Sequence, residues 1–515
     1  MNMAEKITIG VIGAGTMGRG IVQLFAQAGH PVRCHDAQPG AAAKAMDYVD
    51  GMFARAAEKG PMAAAGHAAA RARLNACESL ADLADCGLVI EAIVEDLDVK
   101  RALFRELEGL VGEDAILASN TSSLTVAEIA AACQRPQRVA GLHFFNPVPL
   151  MKVAEVIAAV RTEPAVVRRL CELTEGAGHR AVVTADQPGF LINHAGRGLY
   201  TEGLRIVEEQ VATPTDVDDV LREALGFRMG PFELLDLTGL DVSSRVMTSI
   251  YEQFQQEPRF RPSSLVAPRV AAGLFGRKSG EGWYRYVDGQ QQKPPAKPVP
   301  PLPEALTVWV DPQASGGAGL HELVSAAGAR LADDAANADL AIVQPWGQDA
   351  TSTALVLGLD AARCVAVDPL PALALRRTLM LTAVTSAAAR DAAHALLAQD
   401  GTPVTLINDS PGFIAQRVMA TIVNIAANIA QRVGGLMVDP AAGIASVADL
   451  EDAVRLGLGY PQGPLGWGDR LGAGRMLEIL RAQLAATGDP RYRPSAWLVR
   501  RVALGLPLTT AEAAR

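Results

Sequence analysis

The stretch Gly13-Ala14-Gly15-Thr16-Met17-Gly18 joins an apolar run, Lys6-Ile7-Thr8-Ile9-Gly10-Val11-Ile12, to a helical one, Ile21-Val22-Gln23-Leu24-Phe25-Ala26. A second short run, Val32-Arg33-Cys34-His35, ends in Asp36. Strand, G-x-G-x-x-G, helix, strand, acid is the order that a dinucleotide-binding βαβ unit requires. Gly13 allows the tight turn, Gly15 lets the backbone approach a pyrophosphate, and Gly18 lets helix and strand pack closely. Thr16 and Met17 open the helix, whose N-terminal N–H groups face the phosphates. The Asp36 carboxylate accepts hydrogen bonds from a ribose diol and repels a 2′-phosphate. No arginine follows it in Ala37-Gln38-Pro39-Gly40. The expected cofactor is therefore NAD rather than NADP; the other reading of Asp36 is a helix cap.

The rest of the chain narrows the class. With 515 residues, length alone suggests three or four domains. No apolar run reaches the ~18 residues that a membrane span needs. The N-terminus leads directly into the first strand, without a basic-then-apolar leader. The six cysteines show no paired spacing and no C-x-x-C, as expected of buried thiols in a reducing compartment. A cytoplasmic protein is expected, with no membrane partner and no metal. The formal charge of −9 argues against a nucleic-acid surface but leaves room for an anionic small ligand at a local basic patch.

Residues 1–187 alternate strand and helix. Leu88 to Ala92, Ala115 to Ser119 and Val139 to Phe145 read as buried strands, which predicts a doubly wound parallel sheet. Residues 188–288 turn helical, with a cap at Thr213-Pro214-Thr215-Asp216. Residues 289–304 carry six prolines between Lys293 and Pro303 and read as an extended linker. Beyond it the chain repeats itself. Pro188-Gly189-Phe190 recurs as Pro411-Gly412-Phe413, Leu225-Gly226-Phe227 as Leu458-Gly459-Tyr460, and Pro258-Arg259-Phe260-Arg261-Pro262-Ser263 as Pro490-Arg491-Tyr492-Arg493-Pro494-Ser495. The spacing grows by about ten residues between the first and second matches, which places an insertion around Val433 to Val447. Residues 409–515 are thus expected to duplicate the helical domain. Residues 305–408 read as a degenerate copy of the first domain: Ser315-Gly316-Gly317-Ala318-Gly319 replaces the glycine motif, and no dinucleotide is expected there.

Longer motifs carry a family resemblance. Ser119-Asn120-Thr121-Ser122-Ser123-Leu124, Gly141-Leu142-His143-Phe144-Phe145-Asn146-Pro147, Pro188-Gly189-Phe190-Leu191-Ile192-Asn193, Gly230-Pro231-Phe232-Glu233 and Gly276-Arg277-Lys278-Ser279-Gly280 resemble the 3-hydroxyacyl-CoA dehydrogenases. The match runs from residue 6 to about 286, and the duplicated half fits long bacterial members. The resemblance implies a Rossmann-type NAD-binding domain followed by an all-α domain, then a degenerate α/β domain and a second all-α copy. It implies oxidation of an L-3-hydroxyacyl-CoA to the 3-ketoacyl-CoA. The long form suggests 3-hydroxyadipyl-CoA, from phenylacetate degradation, as substrate; 3-hydroxybutyryl-CoA is the enzymatic alternative. A non-catalytic NAD-binding structural protein is the alternative from another class.

The resemblance also assigns roles. His143 matches the general base and Glu155 its orienting partner, a pairing that suits an imidazole titrating near neutral pH. Ser122 and Asn193 match donors to the substrate oxygen, and Ser122 also lies beside the cofactor. Glu95 and Lys100 match positions near the nicotinamide ribose, Asn146 a position near the nicotinamide, and Lys59 a lysine that contacts the CoA moiety. Taken singly, these residues also suit a core histidine, a solvated helix face, a helix cap or an exposed lysine; in this order and in these motifs they converge on one site. The second half lacks the set. Gln416 stands where Asn193 would be, Val367 or Asp368 where His143 would be, and Leu379 near the register of Glu155. It is expected to be a packing module whose helical domain meets the first copy as an intrachain pseudo-dimer, with a homodimer as the other possibility.

Overall fold

The computed structural model describes residues 6–58, 60, 64–431 and 445–510. They form two compact units. The first holds residues 6–194 with 429–431 and 445–458; the second holds 195–428 and 459–510.

The first unit is built on eight strands: β1 (Ile9–Ile12), β2 (Val32–His35), β3 (Leu74–Cys77), β4 (Leu88–Glu91), β5 (Ile116–Ser119), β6 (Val139–Phe144), β7 (Val153–Ala158) and β8 (Arg180–Ala185). Their order is β3-β2-β1-β4-β5-β6-β7-β8, so the order reverses between β1 and β4, beside the glycine turn. Successive residues along each strand face opposite sides. Ile9, Val11, Leu88 and Ile90 pack with Ile21, Leu24 and Phe25 of the Thr16–Gln27 helix. Ile12, Val89 and Leu117 pack with Phe104 and Leu107 of the Leu97–Leu110 helix. Both faces are covered, which is why these strands read as continuous apolar runs.

The sheet departs from the all-parallel expectation at one place. β7 runs antiparallel to β6, and β8 then runs parallel to β7. The connection from Phe144 to Val153 is too short for the crossover of a dozen or more residues that a parallel pair needs. The reversal matters because it sets residues of β6 and β7 directly opposite one another.

The second unit contains helices Arg197–Glu208, Pro214–Leu225, Pro231–Thr238 and Leu240–Gln253, followed by a hairpin of β9 (Arg285–Val287) and β10 (Gln290–Gln292). The proline-rich segment 293–303 carries no helix or strand and is largely exposed. A second sheet follows: β11 (Thr307–Val310), β12 (Arg330–Leu331), β13 (Leu340–Val343), β14 (Cys364–Val367), β15 (Arg377–Leu381) and β16 (Val404–Ile407), in the order β12-β11-β13-β14-β15-β16. It too has one antiparallel neighbour pair, β14 with β15. The expected insertion around Val433 to Val447 falls mostly outside the described residues. After it, Ser446 caps the Val447–Gly457 helix by accepting from the Asp449 N–H at 3.0 Å, as Thr213 caps Pro214–Leu225 by accepting from Asp216 at 3.2 Å.

Positions related by the sequence repeat meet inside the second unit. The rings of Phe227 and Tyr460 lie 4.9 Å apart at 76°. Arg259 donates to the Arg493 carbonyl at 2.6 Å, while Arg493 donates back to Glu257 at 3.4 Å. Nearby, the buried Arg417 guanidinium is held by Glu202 at 2.7 Å, Glu209 at 2.8 Å and the Ser410 and Tyr492 hydroxyls. Removing one partner of such a buried charge typically costs about 3–5 kcal/mol.

Two buried carboxyls of this unit couple its stability to pH. Burial pushes Asp368 and Asp218 each up to about 7. Asp368 uses one oxygen to accept from Gln416 and the Leu370 N–H; its other oxygen has no partner among the described residues. Between the ordinary carboxylate range and about 7, the folded state binds a proton that the unfolded chain releases, so stability falls as pH rises through that window. Asp368→Asn keeps the accepting oxygen and removes the ionisation. Calorimetry at pH 8 should find the variant raised by at least about 2 °C, with the gain fading towards pH 5.

Candidate active site

The glycine turn is shaped as a dinucleotide site requires. Gly13 has φ +98°, and a Cβ there would lie 2.5 Å from the Ala92 carbonyl oxygen. A Cβ on Gly18 would lie 1.7 Å from the Gly13 carbonyl oxygen, so only glycine lets this helix start so close to its strand. Gly15 is different: nothing lies within 4 Å of its Cβ position, and both it and Thr16 are exposed. The space that its missing side chain leaves opens outward, towards where phosphates would sit, and Met17 is half-buried just inside the helix. Asp36 follows β2. One of its oxygens accepts from the Ala14 N–H at 2.7 Å and the other from the Gln38 N–H at 2.8 Å. Each oxygen keeps a second lone pair for a ribose hydroxyl. The residues present therefore fit NAD.

The antiparallel turn between β6 and β7 builds the second part of the site. His143 and Glu155 are register partners across the two strands. Nδ1 of His143 and Oε2 of Glu155 are 2.6 Å apart, and both side chains are buried. The other Glu155 oxygen accepts from the Leu191 and Ile192 N–H groups at 2.9 and 2.8 Å. A fully buried carboxylate is thus satisfied from two directions, which fixes both the imidazole and the 190–193 turn. That turn is unusual. Gly189 and Phe190 have φ of +72° and +49°, and the Phe190 ring lies 5.9 Å from the His143 ring, with Phe145 at 4.4 Å. Asn193 is half-buried on the short Ile192–Ala195 helix that this turn starts.

A third cluster anchors the loop that carries Ser122. Glu95 Oε1 accepts from Thr121 Oγ1 at 2.7 Å, the Ser122 N–H at 2.9 Å, and both the N–H and Oγ of Ser123. Lys100, only 1 % exposed, pairs with Glu91 at 2.5 Å and Glu95 at 3.2 Å. Burial alone would raise the Glu95 carboxyl, but Lys100 and these donors together hold it below its ordinary range. Lys100 therefore lies beneath the loop, and Glu95 gathers it. Asn146 is exposed after β6, and Lys59 lies outside the described residues.

Motif reading passed over three contributors. Asn120 Oδ1 accepts from the Phe144 N–H at 2.8 Å, tying the Ser122 loop to the residue after His143. Glu91, fully buried at the end of β4, accepts from Lys100, Ser119 and the Ile93 N–H. The Leu191 and Ile192 amides complete Glu155. Asn120 stood inside a quoted motif; the backbone donors leave no trace in side-chain identity.

The second sheet has nothing comparable. Across β14 and β15, Val367 faces Leu379, both fully buried. Gln416 donates directly to Asp368 at 3.0 Å and to the Pro345 carbonyl, and it accepts from the Gly347 N–H.

Comparison with known proteins gives the family. The model of the 3-hydroxyacyl-CoA dehydrogenase NAD-binding domain matches residues 8–187, and the model of that family's C-terminal domain matches 189–286 and 412–512. The chain is 35 % identical over 502 residues to a 3-hydroxyadipyl-CoA dehydrogenase of Escherichia coli K12, covering 98 % of each. It is 38 % identical to the mitochondrial hydroxyacyl-coenzyme A dehydrogenase of Sus scrofa over 55 % of this chain and 93 % of that one. A crystal structure of a 3-hydroxybutyryl-CoA dehydrogenase from Escherichia coli K12 superposes with a TM-score of 0.84 at 34 % identity, covering 97 % of this chain and 99 % of the other. The chain belongs to the 3-hydroxyacyl-CoA dehydrogenases, a family of NAD-dependent oxidoreductases acting on acyl-CoA.

Proposed function

We propose that this enzyme oxidises 3-hydroxyadipyl-CoA, through His143 as general base. The observation that carries the catalytic reading is the buried His143–Glu155 pair with the Leu191 and Ile192 amides behind it. The Nδ1 side of the imidazole is committed to Glu155, so Nε2 is the atom left to take the 3-hydroxyl proton. Glu155 holds the tautomer and stabilises the imidazolium that forms. NAD, when bound, supplies the acceptor for the hydride that leaves C3. Ser122, presented by the Glu95-anchored loop, and Asn193, on the Glu155-anchored turn, donate to the substrate oxygen and keep it aligned as the alcohol becomes a ketone. Asn146 would hold the nicotinamide, Glu95 and Lys100 would organise its ribose side through the 121–123 loop, and Lys59 would meet the CoA moiety. The reaction runs in either direction through the same proton carrier.

The adipyl substrate rests on the full-length relative of that name; a full-length structural relative is named for 3-hydroxybutyryl-CoA, so the acyl group must be measured. NADH formation at 340 nm with each thioester should favour the adipyl substrate in kcat/KM. A tenfold or larger preference for the butyryl substrate would reverse the assignment. In either assay His143→Gln should lower kcat by about two to four orders of magnitude with NADH binding unchanged. Turnover above about half of wild type would remove His143 from the mechanism.

The five-segment organisation, 1–187, 188–288, 289–304, 305–408 and 409–515, is read as a duplication whose second half has lost its chemistry and remains as a cytoplasmic enzyme's packing module. Support comes from Val367 and Leu379 in the register of a dyad, and from Gln416 bonded straight to Asp368 where a substrate would need room. The helical copies are read as an intrachain pseudo-dimer. A residue that touches its own equivalent, as Phe227 touches Tyr460, is the mark of an isologous contact. Light scattering should find the full chain monomeric, whereas a fragment ending near Gln290 should dimerise or aggregate through the uncovered face. A fragment that stays monomeric and fully active would show that the second copy covers nothing the first needs.

A further inference from the structure

One helix of the second half belongs to the catalytic unit. Val447–Gly457 packs on β7 and β8, with Leu450, Ala453 and Val454 buried. Arg180, the first residue of β8, ties it down by donating to Asp449 at 2.6 Å and Asp452 at 3.0 Å. At its other end, Gly457 comes against Ile192. A Cβ on Gly457 would lie 2.6 Å from Ile192 Cδ1 and 3.2 Å from its Cγ2. Ile192 is fully buried, and its N–H is one of the two backbone donors to Glu155.

The counterpart helix in the first half makes the mirror-image choice. Pro214–Leu225 matches Val447–Gly457 in the repeat, with Ala224 at the position of Gly457 and Asp219 at that of Asp452. It packs on β15, where Arg376 pairs with Glu223 at 2.9 Å and with Asp219 at 4.0 Å. Each helical copy thus lends this helix to the α/β domain of the other half. The side that serves the catalytic sheet has glycine where the other has alanine.

We infer that the Val447–Gly457 helix is a positioning element for the catalytic dyad, and that Gly457 sets the Ile192 turn at the height from which its amide reaches Glu155. The second half is then required for turnover, although it holds no reacting group. The inference rests on the dyad reading of His143 and Glu155. Its logic is local. A methyl at Gly457 must push Ile192 away, and the turn carrying Asn193 and the Glu155 donors moves with it. A carboxylate with fewer donors is more basic and holds the imidazolium more tightly.

The test uses the full-length protein with 3-hydroxybutyryl-CoA as probe. Gly457→Ala should lower kcat about tenfold, move the acid limb of the kcat profile to higher pH, and leave NADH binding unchanged, because small displacements of an aligned group are costly. Ile192→Val removes the Cδ1 atom that the new methyl would strike, so the double variant should recover most of the lost turnover and the original profile. Arg180→Gln, which loosens the far end of the helix without touching Ile192, should change kcat in the same direction but less. His143→Gln run in parallel separates the two readings. An active His143→Gln overturns the dyad, and this inference with it. An inactive His143→Gln beside a Gly457→Ala of wild-type turnover and profile overturns this inference alone. A fall in kcat with an unmoved pH limb and no rescue by Ile192→Val also overturns it, since that is the signature of general loosening.

Discussion

The Glu155 carboxylate is the point on which the site depends. It is fully buried, and it meets the imidazole of His143 on one oxygen and two backbone amides on the other. A buried charge left without these donors would cost more than any single contact in the site returns. Satisfying it therefore dictates the surrounding geometry. β7 must run antiparallel to β6 so that positions 143 and 155 face each other, and the chain after β8 must fold back through Gly189 and Phe190 so that two amides converge. Asn193 is delivered by the same turn. On the proposed mechanism, a structural requirement and a chemical one are met by one carboxylate.

A similar economy holds the opposite wall. Glu95 collects the hydroxyl and amide donors of residues 121–123, Lys100 closes it from below, and Glu91 closes Lys100. Two acids around one ammonium leave a net negative cluster, which is tolerable because Ser119, Thr121 and the backbone supply the remaining hydrogen bonds. Asn120 joins this cluster to β6 through the Phe144 amide. The loop and the dyad are thus parts of one hydrogen-bonded frame, and a change at Glu95 should be felt at Ser122 before it is felt at the cofactor.

Much of this was legible in the sequence, for physical reasons. Gly13 and Gly18 are fixed by close backbone approach, while Gly15 leaves open space where phosphates would sit, and the pattern exposes all three. The His143 and Glu155 spacing permits a short reversal between two strands; β6 is legible as an apolar run, whereas the parallel-sheet expectation left the antiparallel β7 unmarked. The repeated turn motifs were legible because stretches such as Pro-Gly-Phe recur at 188–190 and 411–413 while His143 and Glu155 have no counterpart. Other features left no mark. A repeat says which segments are equivalent, not which half they pack against, so the docking of Val447–Gly457 on β7 and β8 could not be read from it. The roles of the Leu191 and Ile192 amides are hidden because every residue but proline carries the same donor. Lys100 and Glu95 matched positions near the nicotinamide ribose; that Lys100 is buried and that Glu95 gathers the 121–123 loop is visible only in the fold.

In the proposed mechanism the Glu155 carboxylate stabilises the imidazolium that forms on His143. The most direct measurement is the pH dependence of kcat for Glu155→Gln, which keeps the shape and removes the charge. The acid limb should move to lower pH, because the imidazolium loses its anionic partner, and kcat at neutral pH should fall by at least about tenfold. A variant with the wild-type limb, whatever its rate, would contradict the claim and reduce Glu155 to a brace for the turn at Ile192.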